Sequence, residues 1–287
     1  MDEIHTVANA IEMRLPDIVL NSVGFFALDK PKAKYAGTGF IVAMGDDQKG
    51  YLLYVVTAAH VAEQLEKEPW LFGMNDKQGG KITLKDGGKA KWFYHPTEKA
   101  NVDCAVTPFA PGMLQEYAVQ PLPQAMFATE ARIKKSNIGI GDDIHIVGLF
   151  TKFHGTVRHN PIVRSGCLAM MPTEPIPTEK YGLMESYLVE GRSIGGLSGS
   201  PVFVRETVHV QMFSADGTAH LSGHGAFYLL GLMHGHWKVD VATTEQVEAV
   251  NMGISQVLPA KKILEVLEQP ALKELEKEVD GRGTRRI

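Results

Sequence analysis

A chain of 287 residues, 44% hydrophobic and 22% charged, holds enough apolar material for two lobes at about 150 residues each and lies outside the disordered, collagen-like and membrane classes. Its 29 Lys and Arg stand against 33 Asp and Glu, a net charge of −4, which gives no general attraction to nucleic acid or to an anionic membrane. The two cysteines, Cys104 and Cys167, each sit in an apolar stretch and read as small buried hydrophobes in a reducing compartment, not as a disulfide framework.

The chain starts acidic, Met1-Asp2-Glu3-Ile4-His5, without the apolar core of a signal peptide. Its longest apolar runs, 51–59 and 227–233, fall short of the roughly 20 residues that span a bilayer. A cytoplasmic protein without a membrane segment is expected. A short helix is read over Val7 to Met13, followed by six strands near Asp17 to Leu28, Gly39 to Met44, Tyr51 to Thr57, Lys81 to Leu84, Lys91 to Tyr94 and Cys104 to Pro108. A helix interrupts them at Ala59 to Glu68, and Gly112 to Ser136, with Pro121 and Pro123, reads as a connector. Six more strands follow near Asp143 to Phe150, Ile162 to Met171, Tyr187 to Glu190, Pro201 to Arg205, Ala226 to Met233 and Val250 to Val257. Between the fourth and fifth of these, Glu206 to Gly225 reads as an inserted surface hairpin or a lid. Pro259 precedes a helix over Ala260 to Leu267, and the Glu/Lys alternation of Leu272 to Val279 gives a further solvated helix before a polar end. The predicted fold is all-β: two six-stranded antiparallel barrels with a few peripheral helices. Residues 1–125 form the first lobe, 126–258 the second, and 259–287 the C-terminal helix and tail.

Three short segments carry the chemistry. Val55-Val56-Thr57-Ala58-Ala59-His60 runs an apolar strand into a histidine at its end. Asn101-Val102-Asp103-Cys104-Ala105-Val106 places a carboxylate in an apolar strand, where it needs donors. Gly195-Gly196-Leu197-Ser198-Gly199-Ser200-Pro201-Val202 brackets a serine with glycines, whose free backbone angles allow amides to turn inward. The resulting chain order is His60, Asp103, Ser198. Through these motifs, and through Gly37-Thr38-Gly39-Phe40 before the histidine strand, the sequence resembles the trypsin/chymotrypsin-like serine peptidase family from about Asp17 to Leu267. The resemblance implies a serine endopeptidase with Ser198 as nucleophile, His60 as general base and then acid, and Asp103 orienting the imidazole. The backbone N–H groups of Gly196 and Ser198 would form the oxyanion hole.

Departures from the family pattern are informative. Where many extracellular members place Asp before the nucleophile to pair with a freed amino group, this chain has Leu197, so that activation switch cannot operate. Ser200 stands where glycine is common. For substrate binding the resemblance points to Arg192, Met233, His234 and Gly235. Arg192 would favour an acidic side chain, or would instead snorkel to solvent or pair with Glu190; Met233 would make an apolar pocket, and a register shift of one would put His234 there. His234-x-His236 and His220-x-x-x-His224 have metal-compatible spacings but lack a Cys or a placed acidic partner, so no metal and no cofactor is expected. Expected partners are a protein or peptide substrate and an activating protein, with neither nucleic acid nor membrane. The rival reading is a latent protease fold that binds peptide without cutting it, with Leu197 and Ser200 as its support.

Overall fold

The computed structural model describes residues 14–31, 34–46, 48, 50–85, 90–109, 116–191, 195–207, 209–211, 220–222, 225–242 and 247–281. The expected helix at Val7 to Met13 lies outside them.

The first lobe contains α1 (Asp17–Asn21), β1 (Val23–Leu28), β2 (Lys34–Asp46), β3 (Gly50–Thr57), α2 (Ala59–Leu65), β4 (Trp70–Asn75), β5 (Lys81–Lys85), β6 (Phe93–Tyr94), β7 (Ala105–Phe109) and β8 (Leu122–Pro123). Its eight strands form one sheet in the order β5-β4-β1-β2-β3-β7-β6, with β8 parallel to β2. Two of these strands go beyond the six read from the sequence. Trp70–Asn75 was hidden because most of it is buried on both faces, so it shows no polar alternation. Conversely, the stretch from Asp17 opens as a helical turn: Pro16 is pre-set at its N-cap and Asp17 places a negative charge in its first turn. The β-branched Ile18 and Val19 had made it look like a strand.

The second lobe contains α3 (Glu130–Lys135), β9 (Asp143–Gly148), β10 (Ile162–Met170), β11 (Ile176–Thr178), β12 (Gly182–Met184), β13 (Tyr187–Glu190), β14 (Pro201–Arg205), β15 (His209–Gln211), β16 (His220–Ser222), β17 (Phe227–Ala242) and β18 (Val247–Pro259). The six strands read from the sequence here are the six that close the barrel, in the order β10-β13-β18-β17-β14-β9. Within the 206–225 insertion the described strands β15 and β16 pair antiparallel. A second hairpin, β11–β12, was not anticipated.

Side-chain alternation divides the apolar residues between two cores. Ile144, Ile146, Val202, Val204, Leu230 and Met233 fill the barrel, while Val147, Phe203, Leu229 and Leu232 face out to join the core of the first lobe. That shared core also receives Ile263, Val266 and Leu267 of α4 (Ala260–Leu267) and Leu272 of α5 (Pro270–Gly281). The C-terminal helices therefore close the seam between the lobes, and Tyr54 of β3 donates to Glu276 of α5 at 2.9 Å. Among the described residues no helix is long and apolar enough to cross a membrane.

Candidate active site

β3 ends at Thr57, and His60 is the second residue of α2. Asp103 stands in the segment entering β7, completely buried. Its Oδ1 accepts the His60 backbone N–H at 2.9 Å, one of the amides that the first turn of a helix leaves unpaired, and its Oδ2 accepts the His60 ring Nδ1–H at 2.8 Å. The same Oδ2 takes a third hydrogen bond, from Nδ1 of His234. Burial pushes the Asp103 carboxyl up, but the hydrogen bonds from His234 and His60 outweigh it and hold the group well below the usual carboxylate range. An ionised carboxylate only accepts, so both imidazoles carry a proton on Nδ1. In a neutral His60 this leaves Nε2 as the free base.

Ser198 sits on the loop between β13 and β14 and shares one cleft with His60 and His234. The loop is fixed by groups from both lobes. Thr38 of β2 donates its backbone N–H to the Ser198 carbonyl at 2.9 Å and its hydroxyl to the Gly196 carbonyl at 2.8 Å, while its Oγ1 accepts the Leu149 N–H at 3.0 Å. The Gly199 N–H bonds the Met233 carbonyl at 2.9 Å. Glycine is required twice: Gly196 has φ +102° and Gly199 φ +83°, and a Cβ on Gly199 would stand 2.2 Å from the Thr38 carbonyl oxygen. Leu197 is fully buried in the barrel core, so apolar packing anchors the loop. The Ser200 hydroxyl is buried without a hydrogen-bond partner.

The cleft has a volume of about 390 Å³. Gly195, Gly235, His236, Trp237 and Gln256 line one part of it, and the β11–β12 hairpin supplies Lys180 and Tyr181. That hairpin crosses to the first lobe: Asn101 Nδ2 donates to the carbonyls of Tyr181 and Leu183, both at 3.1 Å, and Lys180 pairs with Glu63 of α2 at 2.6 Å. The Tyr181 ring meets His234 edge-on, with centroids 5.4 Å apart. Its hydroxyl faces the Asp103 carboxylate without reaching hydrogen-bond geometry, and burial together with that charge pushes its pKa far up.

The structure thus brings together His60, Asp103, Ser198, Gly196, Gly235 and His234; His234 lines the cleft and is in addition a partner of Asp103. Met233 does not line the cleft; its side chain is fully buried in the barrel because strand alternation turns it inward, and it contributes backbone bonds to Gly199 and Ser200. Arg192 lies outside the described residues, as do His224 and the side chain of His220. Cys167 is partly exposed on β10 instead of buried, with Sγ 3.7 Å from Glu190; Cys104 is fully buried, which pushes its thiol pKa up. Thr38, Tyr181 and the β11–β12 hairpin were missed, although Thr38 lies within the noted Gly37-Thr38-Gly39-Phe40 segment.

Among the described residues two compact clusters have the composition of metal sites. One is His60, Asp103 and His234; the other is His95, Glu98 and Glu265. In the first, Nδ1 of each imidazole donates its proton to the carboxylate. In the second, the Lys262 ammonium occupies the middle, 2.9 Å from both Glu98 and Glu265.

No family model matches the chain, and no curated protein matches it. Among solved structures it is similar to the protease domain of MamO from Magnetospirillum magneticum, at 15% identity and a TM-score of 0.52, covering 88% of this chain and 98% of that one. The chain has the fold of a trypsin-like serine protease. Further similar protease structures are Deg5 (15% identity, TM-score 0.49, 86% of this chain and 88% of that one) and the HtrA-type protease AlgW with a decapeptide (15% identity, TM-score 0.48, 90% and 66%). In this chain His60 and Asp103 come from the first lobe and the glycine-bracketed Ser198 from the second.

Proposed function

We propose that this chain is a serine endopeptidase that cleaves a peptide bond through an acyl-enzyme on Ser198. The observation that carries the reading is Asp103: a buried carboxylate that holds His60 by both backbone and ring, in a cleft shared with Ser198. His60 Nε2 takes the Ser198 hydroxyl proton as Oγ attacks the scissile carbonyl, then returns it to the leaving amine; a water repeats the cycle in reverse to free the acid. Asp103 stabilises the transient imidazolium. The amides of Gly196 and Ser198 receive the oxyanion, each donor worth roughly 3 to 4 kcal/mol in the transition state. The cleft, walled by Tyr181, Trp237, His236 and Gln256, suits an extended peptide with mixed apolar and polar side chains.

The test is intact-mass labelling with a fluorophosphonate on wild type, Ser198→Ala and His60→Ala. A single adduct on wild type that disappears in Ser198→Ala and is strongly slowed in His60→Ala is the expected result. A folded wild type that takes no adduct over hours would leave the latent, peptide-binding reading in its place.

A further inference from the structure

His234 sits where the ladder between β17 and β18 breaks. Met233 pairs with Val257 and Gly235 with Gln256, so His234 is the extra residue of a bulge. A bulge re-aims the side chain of its extra residue, and here the ring turns to Asp103, only 10% exposed. Its Nδ1–H goes to Oδ2, the oxygen that also receives the His60 ring. The two rings meet edge to face with centroids 6.1 Å apart, and Tyr181 packs on the far ring of the pair. One carboxylate thus serves two imidazoles, one from each lobe.

We propose that His234 is a positioning residue for catalysis: its Nδ1–H fixes the Asp103 carboxylate across the lobe seam and shares the charge that would otherwise act on His60 alone. This rests on the serine-protease reading of His60 and Ser198. The titratable groups facing His234 are Asp103 from the segment entering β7, His60 from α2 and Tyr181 from the β11–β12 hairpin; Glu179, Lys180 and His236 share the cleft. With the His234 donor removed, Asp103 loses one of the bonds that hold its carboxylate toward the His60 ring, the ring is aimed less well, and the rate falls.

The test compares wild type, His234→Asn and His234→Leu. Asparagine keeps an N–H donor at the position of Nδ1; leucine removes it and keeps bulk. The rate of fluorophosphonate labelling is measured for all three. His234→Leu is expected to label roughly tenfold to a hundredfold more slowly, the effect of one hydrogen bond to a charged group. His234→Asn is expected to recover most of the rate. A leucine variant with the wild-type rate, or an asparagine variant as impaired as leucine, overturns the proposal. Proton NMR of histidine-labelled protein gives a second readout that needs no leucine variant: wild type should show two downfield Nδ1–H signals and His234→Asn one. A single signal in wild type overturns the proposal even where labelling is normal. Two signals in a wild type that takes no label would retain the geometry and reject the protease reading instead.

Discussion

Asp103 shows how much a single residue decides in this site. Without donors, a fully buried carboxylate would protonate; with three hydrogen bonds it stays ionised and fixes the tautomer of His60. Asp103→Asn keeps the shape but offers an N–H toward a ring that must itself donate, which favours the wrong tautomer. Fluorophosphonate labelling of Asp103→Asn should therefore fall by about 10⁴-fold with the circular dichroism spectrum unchanged. His159 is a residue-scale case of the opposite kind. Its ring nitrogens are buried without hydrogen-bond partners, and burial, with Lys81 and His154 nearby, lowers its pKa to about 4. Because its folded value lies below the ordinary 6.5, the native state binds this proton less readily than the unfolded state. The stabilisation is complete above about pH 6.5 and is lost as pH falls toward about 4. The urea midpoint of wild type should drop more between pH 7 and pH 5 than that of His159→Gln; equal drops would remove His159 as the cause.

At the scale of elements, the nucleophile loop is set by its two left-handed glycines and its buried leucine. Gly199→Ala would press a methyl into the Thr38 carbonyl at a φ that L residues rarely adopt. The variant is expected to lose labelling while keeping most of its β structure. Gly139→Ala meets nothing within 4 Å and serves as the control; its labelling should match wild type. The β11–β12 hairpin has the same importance for the cleft, since Asn101 and Glu63 tie it to the first lobe. Its segment, with Pro175, Pro177 and Gly182 around short apolar pieces, gives no period-2 run long enough to declare a strand pair.

At the scale of the molecule, the cleft depends on how two lobes meet, and Thr38 is a polar clasp between them. Its hydroxyl bonds Gly196 and Leu149 at once, and Thr57 Oγ1 donates to its carbonyl at 2.7 Å. Thr38→Val removes the hydroxyl with almost no change in shape, leaving the Leu149 N–H and the Gly196 carbonyl without that partner. A loss of about 2 kcal/mol in denaturant unfolding is expected, together with a slower labelling rate that reports the loosened oxyanion loop. A variant as stable as wild type, labelled at the same rate, would show that apolar contacts alone hold the lobes in register. Those contacts are substantial: α4 and α5 insert Ile263, Val266, Leu267 and Leu272 into the shared core.

What the sequence determined by itself was whatever is written in a few consecutive residues. The six barrel strands of the second lobe, α2 and α4, and the segments holding His60, Asp103 and Ser198 follow from local periodicity, punctuation and motif. Leu197 reads in the sequence as a missing ion pair and as support for a latent fold; its packing in the barrel core is visible only in the structure. What the tertiary structure decided were relations between distant residues: His234 lies 131 positions from Asp103, and the Thr38 hydroxyl 158 from Gly196. His234 and Met233 are neighbours with the same apparent claim on the substrate pocket. Only the bulge in β17, set by pairing with β18, sends one ring to the Asp103 carboxylate and the other side chain into the barrel, and a ladder register is a property of two strands that neither specifies alone.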